Sequence, residues 1–283
     1  MKISVNTYSL GGIANDAGKQ LNMIEMADFA KSRGFDAIEF VGLEIPENMD
    51  LDVIGFAKYM KKYCEKIGLE ISGYTVGADF LSPGNVERLK KEVDVAAALG
   101  APVMRHDIVS YLPEGKTYFD LIPEFAKDIN VIADYAASLG VKTCTENHGY
   151  VSQGSERVIA LYKAVNNKNF GLLADFGNFL CVDEEPVKAV AAVAPFAFHV
   201  HAKDFKYVSK EESKDPPPGY FNTAGGNHIK GCVLGEGIVN VKKCIEIMKR
   251  NNYDSYITVE YEEPFVDKAA GVEKCIAYMK SCL

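Results

Sequence analysis

The feature that most limits how this chain can fold is a recurring step with glycine at its centre. Arg33-Gly34-Phe35, Ile67-Gly68-Leu69, Leu99-Gly100-Ala101 and Leu139-Gly140-Val141 each stand between an amphipathic run and a short apolar run. The residue just past a last helical turn often takes the left-handed conformation, which glycine reaches without a Cβ clash. The glycines fall 34, 32 and 40 residues apart, each interval long enough for one strand-loop-helix unit. In the second half Asn166-Asn167 and Asn251-Asn252 stand in the same places, and asparagine tolerates that conformation best after glycine.

Between these marks the apolar runs give eight strands, near 3–7, 37–41, 70–75, 102–106, 141–146, 171–175, 197–201 and 256–260. Helical periodicity fills the intervals near 19–33, 51–66, 85–98, 120–138, 155–165, 185–192 and 239–250, with a last helix near 267–281. Eight alternating units predict a closed parallel (β/α)8 TIM barrel rather than an open doubly wound sheet. No Gly-x-Gly-x-x-Gly follows the first strand, which argues further against a dinucleotide-binding sheet. Such barrels usually take about 250 residues, so residues 1–283 are read as one domain.

The segment 205–237 breaks the rhythm with a charged run, Pro216-Pro217-Pro218-Gly219, Gly225-Gly226 and Leu234-Gly235-Glu236-Gly237. It has the look of a long loop without regular structure after strand seven, and is expected to act as an active-site lid hinged on its glycines. The net charge of −8 and pI of about 5.3 exclude the basic stripe of a nucleic-acid footprint. No apolar run approaches the roughly 20 residues of a membrane span. Nothing at the start of the chain reads as an export signal, and the seven cysteines lack any C-x-x-C pair. Reduced thiols in a cytoplasmic protein follow as the expectation. Oligomeric state stays open, a homo-oligomer included.

The chemistry is carried by four consecutive strands that end in a metal-ligating side chain. Glu146 closes the fifth, Asp175 the sixth, His201 the seventh and Glu260 the eighth. Active sites of such barrels lie at the C-terminal ends of the strands. Three acids brought to adjacent tips would repel one another without a cation. An oxygen-rich set with one imidazole suits Mn2+ or Mg2+, with Co2+ and Zn2+ also compatible. Around them, Lys203 shares the inward face above His201, and His148 and His106 stand just past strands five and four. Glu39 on strand two is placed either to reach substrate or to pair with Arg105. His199 is read as a layer residue inside the barrel. Tyr8, Tyr74 and Phe176 are candidates for an apolar wall.

Glu146-Asn-His148-Gly, Leu173-Ala-Asp175-Phe-Gly-Asn178, His199-Val-His201-Ala-Lys203-Asp204, Leu234-Gly-Glu-Gly237 and Val259-Glu260 resemble the sugar phosphate isomerase/epimerase family. These are the xylose-isomerase-like barrels that include ketose 3-epimerases and inosose-processing enzymes. The resemblance implies one divalent ion, often Mn2+, held by Glu146, Asp175, His201 and Glu260, with the two glutamates as the acid/base pair. Asn178 stands where many epimerases carry a substrate-touching histidine, and Lys203-Asp204-Phe205-Lys206 replaces a run that often holds arginine. The implied activity is isomerisation or epimerisation of a sugar, keto-sugar or polyol, phosphorylated or not, by proton abstraction beside a polarised carbonyl. The alternative on the same scaffold is a lyase acting on a keto-inositol, a dehydroshikimate-like acid or a C-glycoside. A multi-metal endonuclease would need more than the five histidines present. A non-catalytic binding barrel would be favoured only if no metal bound.

Overall fold

A computed structural model of the chain describes residues 1–263 and 266–283. In chain order its strands are β1 (Lys2–Asn6), β2 (Ala37–Val41), β3 (Glu70–Val76), β4 (Val103–His106), β5 (Lys142–Glu146), β6 (Phe170–Asp175), β7 (Ala197–Ala202), β8 (Phe205–Val208), β9 (Phe221–Asn222), β10 (His228–Gly231) and β11 (Tyr256–Val259). β1 to β7 and β11 pair in parallel and close into a barrel, with β11 joining β7 to β1. The (β/α)8 architecture expected from the repeating unit is therefore present, and the eight strand positions agree within one or two residues.

The helices are α1 (Thr7–Leu10), α2 (Met23–Ser32), α3 (Val53–Ile67), α4 (Asn85–Leu99), α5 (Tyr118–Ser138), α6 (Ser155–Val165), α7 (Pro186–Val193), α8 (Val241–Arg250) and α9 (Lys268–Cys282). α2 starts later than the periodicity suggests because Asn22 caps it. The Asn22 side chain accepts from the Ile24 and Glu25 amides, and the Glu25 carboxylate accepts from the Asn22 amide. Gly34, Gly68, Gly100 and Gly140 all have positive φ, as do Asn166 and Asn252. No described helix is long and apolar enough to cross a membrane. All seven cysteines are free thiols, six of them buried.

Barrel closure gives every strand an inner and an outer face, alternating residue by residue. Val103, Cys144 and Leu173 point inward and pack with Phe198 as a small apolar floor. Gly171 leaves room for that floor, since a Cβ there would sit 2.4 Å from the Phe198 ring. Two residues further along β4, β5 and β6, the same face carries Arg105, Glu146 and Asp175. The floor thus sets the parity that lifts the polar residues to the mouth.

The segment after β7 is not the structureless loop expected from its composition. β8, β10 and β9 form a three-stranded antiparallel sheet, here called the flap. Its base is wrapped around Asp204, whose Oδ1 accepts from the Phe205 and Val239 amides at 2.9 and 3.0 Å and whose Oδ2 accepts from the Gly235 and Gly237 amides at 2.9 and 3.0 Å. Gly237 has to lack a side chain, because a Cβ would meet Asp204 Oδ1 at 2.1 Å. Its tip is tied to Asp183, which accepts from Thr223 Oγ1, the Gly225 amide and Asn227 Nδ2 at 2.7, 2.6 and 2.7 Å. Gly225 and Gly231 are therefore not free hinges. The first is held by Asp183, and the second lies in β10 where a Cβ would approach the Glu262 backbone to 2.9 Å.

Candidate active site

Glu146 and Asp175 end β5 and β6, His201 stands one residue before the end of β7, and Glu260 follows β11 directly. One ligand atom from each of the four lies within 4.8 Å of all the others. Local turns set their directions. Asp175 Oδ1 accepts from the Gly177 and Asn178 amides at 2.8 and 2.7 Å, which turns Oδ2 into the cluster. Asn147 bridges β5 to β6 by accepting from the Asp175 amide and donating to the Asp175 carbonyl, at 2.9 and 3.0 Å. Glu146 is held at both oxygens: Arg105 donates to Oε2 at 2.6 Å and Asn178 Nδ2 to Oε1 at 2.8 Å.

His201 is held from below. Its Nε2 lies 3.1 and 3.0 Å from the two oxygens of Glu39, which also contacts His199 Nε2 at 2.8 Å and accepts from Thr75 Oγ1 at 2.6 Å. With Nε2–H given to Glu39, Nδ1 faces the cluster and would offer its lone pair to a cation once the imidazole is neutral. That nitrogen is 2.5 Å from Glu260 Oε2, 3.8 Å from Glu146 Oε1 and 3.9 Å from Asp175 Oδ2. Asp175 Oδ2, His201 Nδ1 and Glu260 Oε2 are all buried without a hydrogen-bond partner. Buried polar atoms are rarely left so, and three that converge on one point fit a divalent cation. The donors, three carboxylate oxygens and one imidazole nitrogen, suit Mg2+, Mn2+ or Zn2+ alike.

The electrostatics agree with a site built for positive charge. Burial raises Asp175 to about 7, Glu260 and Glu146 adding to the effect and Lys203 opposing it. Burial also works against charge on His201, but Glu39 and Glu260 outweigh it and lift the imidazole well above its ordinary value. Glu260 moves down despite burial, because Lys203 and His201 lie against it. Lys203 Nζ is itself buried and reaches Glu260 Oε1 at 3.1 Å, Glu262 Oε1 at 3.3 Å, Asp175 Oδ2 at 3.7 Å and Asn178 Oδ1 at 3.1 Å.

Residues 27–282 match the model of the xylose isomerase-like TIM barrel family. The chain belongs to this family. Among its relatives is an inosose dehydratase from Clostridium botulinum, 25% identical over 262 residues that cover 84% of this chain and 86% of the relative. The solved structure of the IOLI protein with a bound zinc atom superposes with a TM-score of 0.76 at 15% identity, covering 100% of this chain and 98% of the other. An L-ribulose 3-epimerase structure superposes with a TM-score of 0.73 at 16% identity, covering 100% and 94%.

Within this xylose isomerase-like barrel the remaining expected site residues divide into those at the mouth and those elsewhere. Lys203 and Asn178 stand at the cluster. His148 stands at the mouth, its Nδ1 2.9 Å from Asp107 Oδ1. Of the expected apolar wall only Tyr8 lines the cavity over Glu146, His201 and Glu260. Tyr74 is buried and donates to Glu92 of α4, and Phe176 is fully buried. Two further expectations are corrected. His106 does not reach a substrate hydroxyl: Arg105 takes the inner face of β4, so His106 turns outward, with Phe80 and Phe170 ring centroids 5.4 and 6.1 Å away. Its Nδ1 bonds the Asp107 carbonyl, and burial pulls it down to about 4. Glu39 pairs with His199 and His201 and not with Arg105, which goes to Glu146 and Asp107. His199 is a layer residue, as expected, between Glu39 and Thr258.

The cavity over the ligands has a volume of about 210 Å3 and includes Asn6, Tyr8, Thr75 and Glu262 in its wall. A second cavity of about 170 Å3 lies under the flap, and His148 and Glu262 line both. A wider cleft of about 600 Å3 separates the start of α2 from residues 44–48, away from the four ligands. The structural roles of Arg105, Asn147, Asp107 and Glu262 had no sequence signal beyond their places beside strand ends.

Proposed function

We infer that this chain is a divalent-metal-dependent enzyme that moves a proton on the carbon beside the carbonyl of a sugar, keto-sugar or polyol-derived ketone. The observation that carries this reading is the convergence of three unpartnered buried ligand atoms beside two glutamates at the barrel mouth. A divalent cation at Glu146, Asp175, His201 and Glu260, Mn2+ before Mg2+, Co2+ or Zn2+, supplies Lewis-acid polarisation of the carbonyl.

The chain's own groups supply the rest. Glu146 and Glu260 are the proton carriers. Arg105 and Asn178 fix the orientation of Glu146, and Lys203 fixes that of Glu260 through Oε1. Lys203 Nζ stands where it can also donate to a substrate oxygen that gains negative charge, the preorganised kind of stabilisation that lowers such barriers. His148 and Asn178 offer hydrogen bonds to hydroxyls. The flap, residues 205–237, covers one side of the mouth and keeps bulk water from the reacting carbon.

Return of a proton to the opposite face of the same carbon gives an epimer, and to the neighbouring carbon an isomer. Loss of a β-hydroxyl gives a dehydratase. The dehydratase reading stands beside the epimerase one because the curated relatives include inosose dehydratases. Incubating Mn2+-loaded protein in D2O with ketoses and keto-inositols tests both. Deuterium at one carbon without loss of water marks isomerisation or epimerisation, and loss of water marks elimination. Glu146→Gln and Glu260→Gln should each lower turnover by roughly 10²–10⁴, the usual weight of general acid–base catalysis. Near-normal exchange in both variants would remove them as proton carriers.

A further inference from the structure

The cavity under the flap does not belong to the four-ligand cluster, yet it opens beside it. Either cavity alone is smaller than the ~300–1,000 Å3 usual for a small-molecule site, and the two together reach that range. Both cavities have mixed walls, and Tyr8 and Val41 stand among the acids of the one over the ligands. The flap cavity brings together three aromatic rings, Tyr150, Phe205 and Phe221, beside the polar side chains of Gln153, Asn178, Lys203 and Glu262. Phe205 is buried with its ring edge-on to Phe221, centroids 5.9 Å apart. Tyr150 and Phe221 are 44% and 39% exposed, so apolar ring surface faces solvent beside a polar mouth.

Tyr150 is placed with effort. Its φ is 59°, a conformation non-glycine residues seldom take, and its hydroxyl donates to the Asn222 carbonyl of the flap at 2.8 Å. That bond fixes the spacing of the two walls. The cations that line the cavities argue about charge. Lys203 is already in contact with Glu260 and Glu262, and Arg105 with Glu146 and Asp107. A phosphate would meet these carboxylates without a free cation of its own in the wall, whereas an uncharged planar group would meet ring faces.

We propose that the flap cavity is a subsite for a planar apolar substituent, and that the substrate is an uncharged keto-sugar or keto-cyclitol derivative carrying one, in chemical class a glycoside of an aromatic alcohol with a carbonyl on its sugar ring. This rests on the proposed function in one respect, the seating of the polar ring over the four ligands. The bond between ring and substituent then passes between His148 and Glu262.

The test is calorimetric binding to the Mn2+-loaded chain of phenyl and methyl β-glycosides of glucose, galactose and xylose, with glucose 6-phosphate as the charged probe. At least one phenyl glycoside should bind about tenfold more tightly than its methyl partner, from burial of the ring. Phe221→Ala should bring that ratio close to one, and Phe221→Trp should keep it. Equal binding of phenyl and methyl partners in every pair, absence of binding by all of them, survival of the preference in Phe221→Ala, or tighter binding of the phosphate would each overturn the proposal. Mn2+ binding is read on the same samples. Its absence would remove the functional reading itself, while intact Mn2+ binding without a phenyl preference removes only the subsite.

Discussion

Glu39→Gln isolates the part of the site that sits beneath the four proposed metal ligands. Glu39 is fully buried and meets donors from Thr75, His199 and His201. Burial opposes its charge, but the two imidazoles outweigh that and hold the carboxyl well below its usual range. A glutamine keeps the volume and one carbonyl oxygen but puts an NH2 in place of the other oxygen. In either orientation that NH2 faces a group which had been donating. The neutral His201 that metal binding requires can relieve the clash only by placing its proton on Nδ1, the atom that faces Glu146, Asp175 and Glu260. Loss of such an outer partner typically costs 10–100-fold in metal affinity, or about 1.4–2.8 kcal/mol. One buried donor left without an acceptor should also lower folding stability by about 1–3 kcal/mol. Isothermal titration with Mn2+ reads the first effect, and thermal melting with and without the ion reads the second. A Glu39→Gln affinity within about twofold of wild type, where 10–100-fold is expected, would refute the argument if His201→Ala on the same protocol weakened binding strongly.

Four further outcomes follow from the same geometry. Asp175, raised to about 7 by burial and its acidic neighbours, must give up its proton to bind an ion, so Mn2+ affinity should rise as pH climbs through about 7, with proton release seen in buffers of different ionisation heat. The metal-free fold gains from that protonated carboxyl below the ordinary aspartate range and loses the gain as pH rises through about 7, so its melting temperature should fall over that window. His106, held near 4 by burial, contributes about 3 kcal/mol that is present above the ordinary histidine value and lost as pH falls toward 4. His106→Phe should flatten this acid limb in pH-dependent melts and leave Mn2+ affinity unchanged, and a collapse of metal binding would return His106 to the site. Asp183→Ala removes three bonds from the flap tip, so trypsin should cut at Lys210 or Lys214 faster than in the wild type while the barrel melts as before. Unaltered cleavage would show that Asp183 does not hold the flap.

The sequence by itself determined the barrel and the four side chains that gather at its mouth, because both depend on short-range facts. A helix stop, an apolar run and the residue at its end are contiguous, and parallel closure carries strand ends to one mouth whatever fills the loops. Parity was harder. Val103 and Met104 are both apolar, so nothing in β4 said whether Arg105 or His106 faced inward. The floor of Val103, Cys144 and Leu173 decided it, and that floor exists only once three strands are paired. The partner of Glu39 was equally out of reach. Arg105 offered the opposite charge, but barrel closure brings His199 and His201 to Glu39 from 160 and 162 residues away. The flap shows the same limit. Residues 205–208 and 228–231 carry no pattern strong enough to announce strands, and they pair because Asp204 gathers the base and Asp183 the tip. Local propensity fixes where an element begins and ends, whereas buried polar groups choose their partners only after the chain has closed around them.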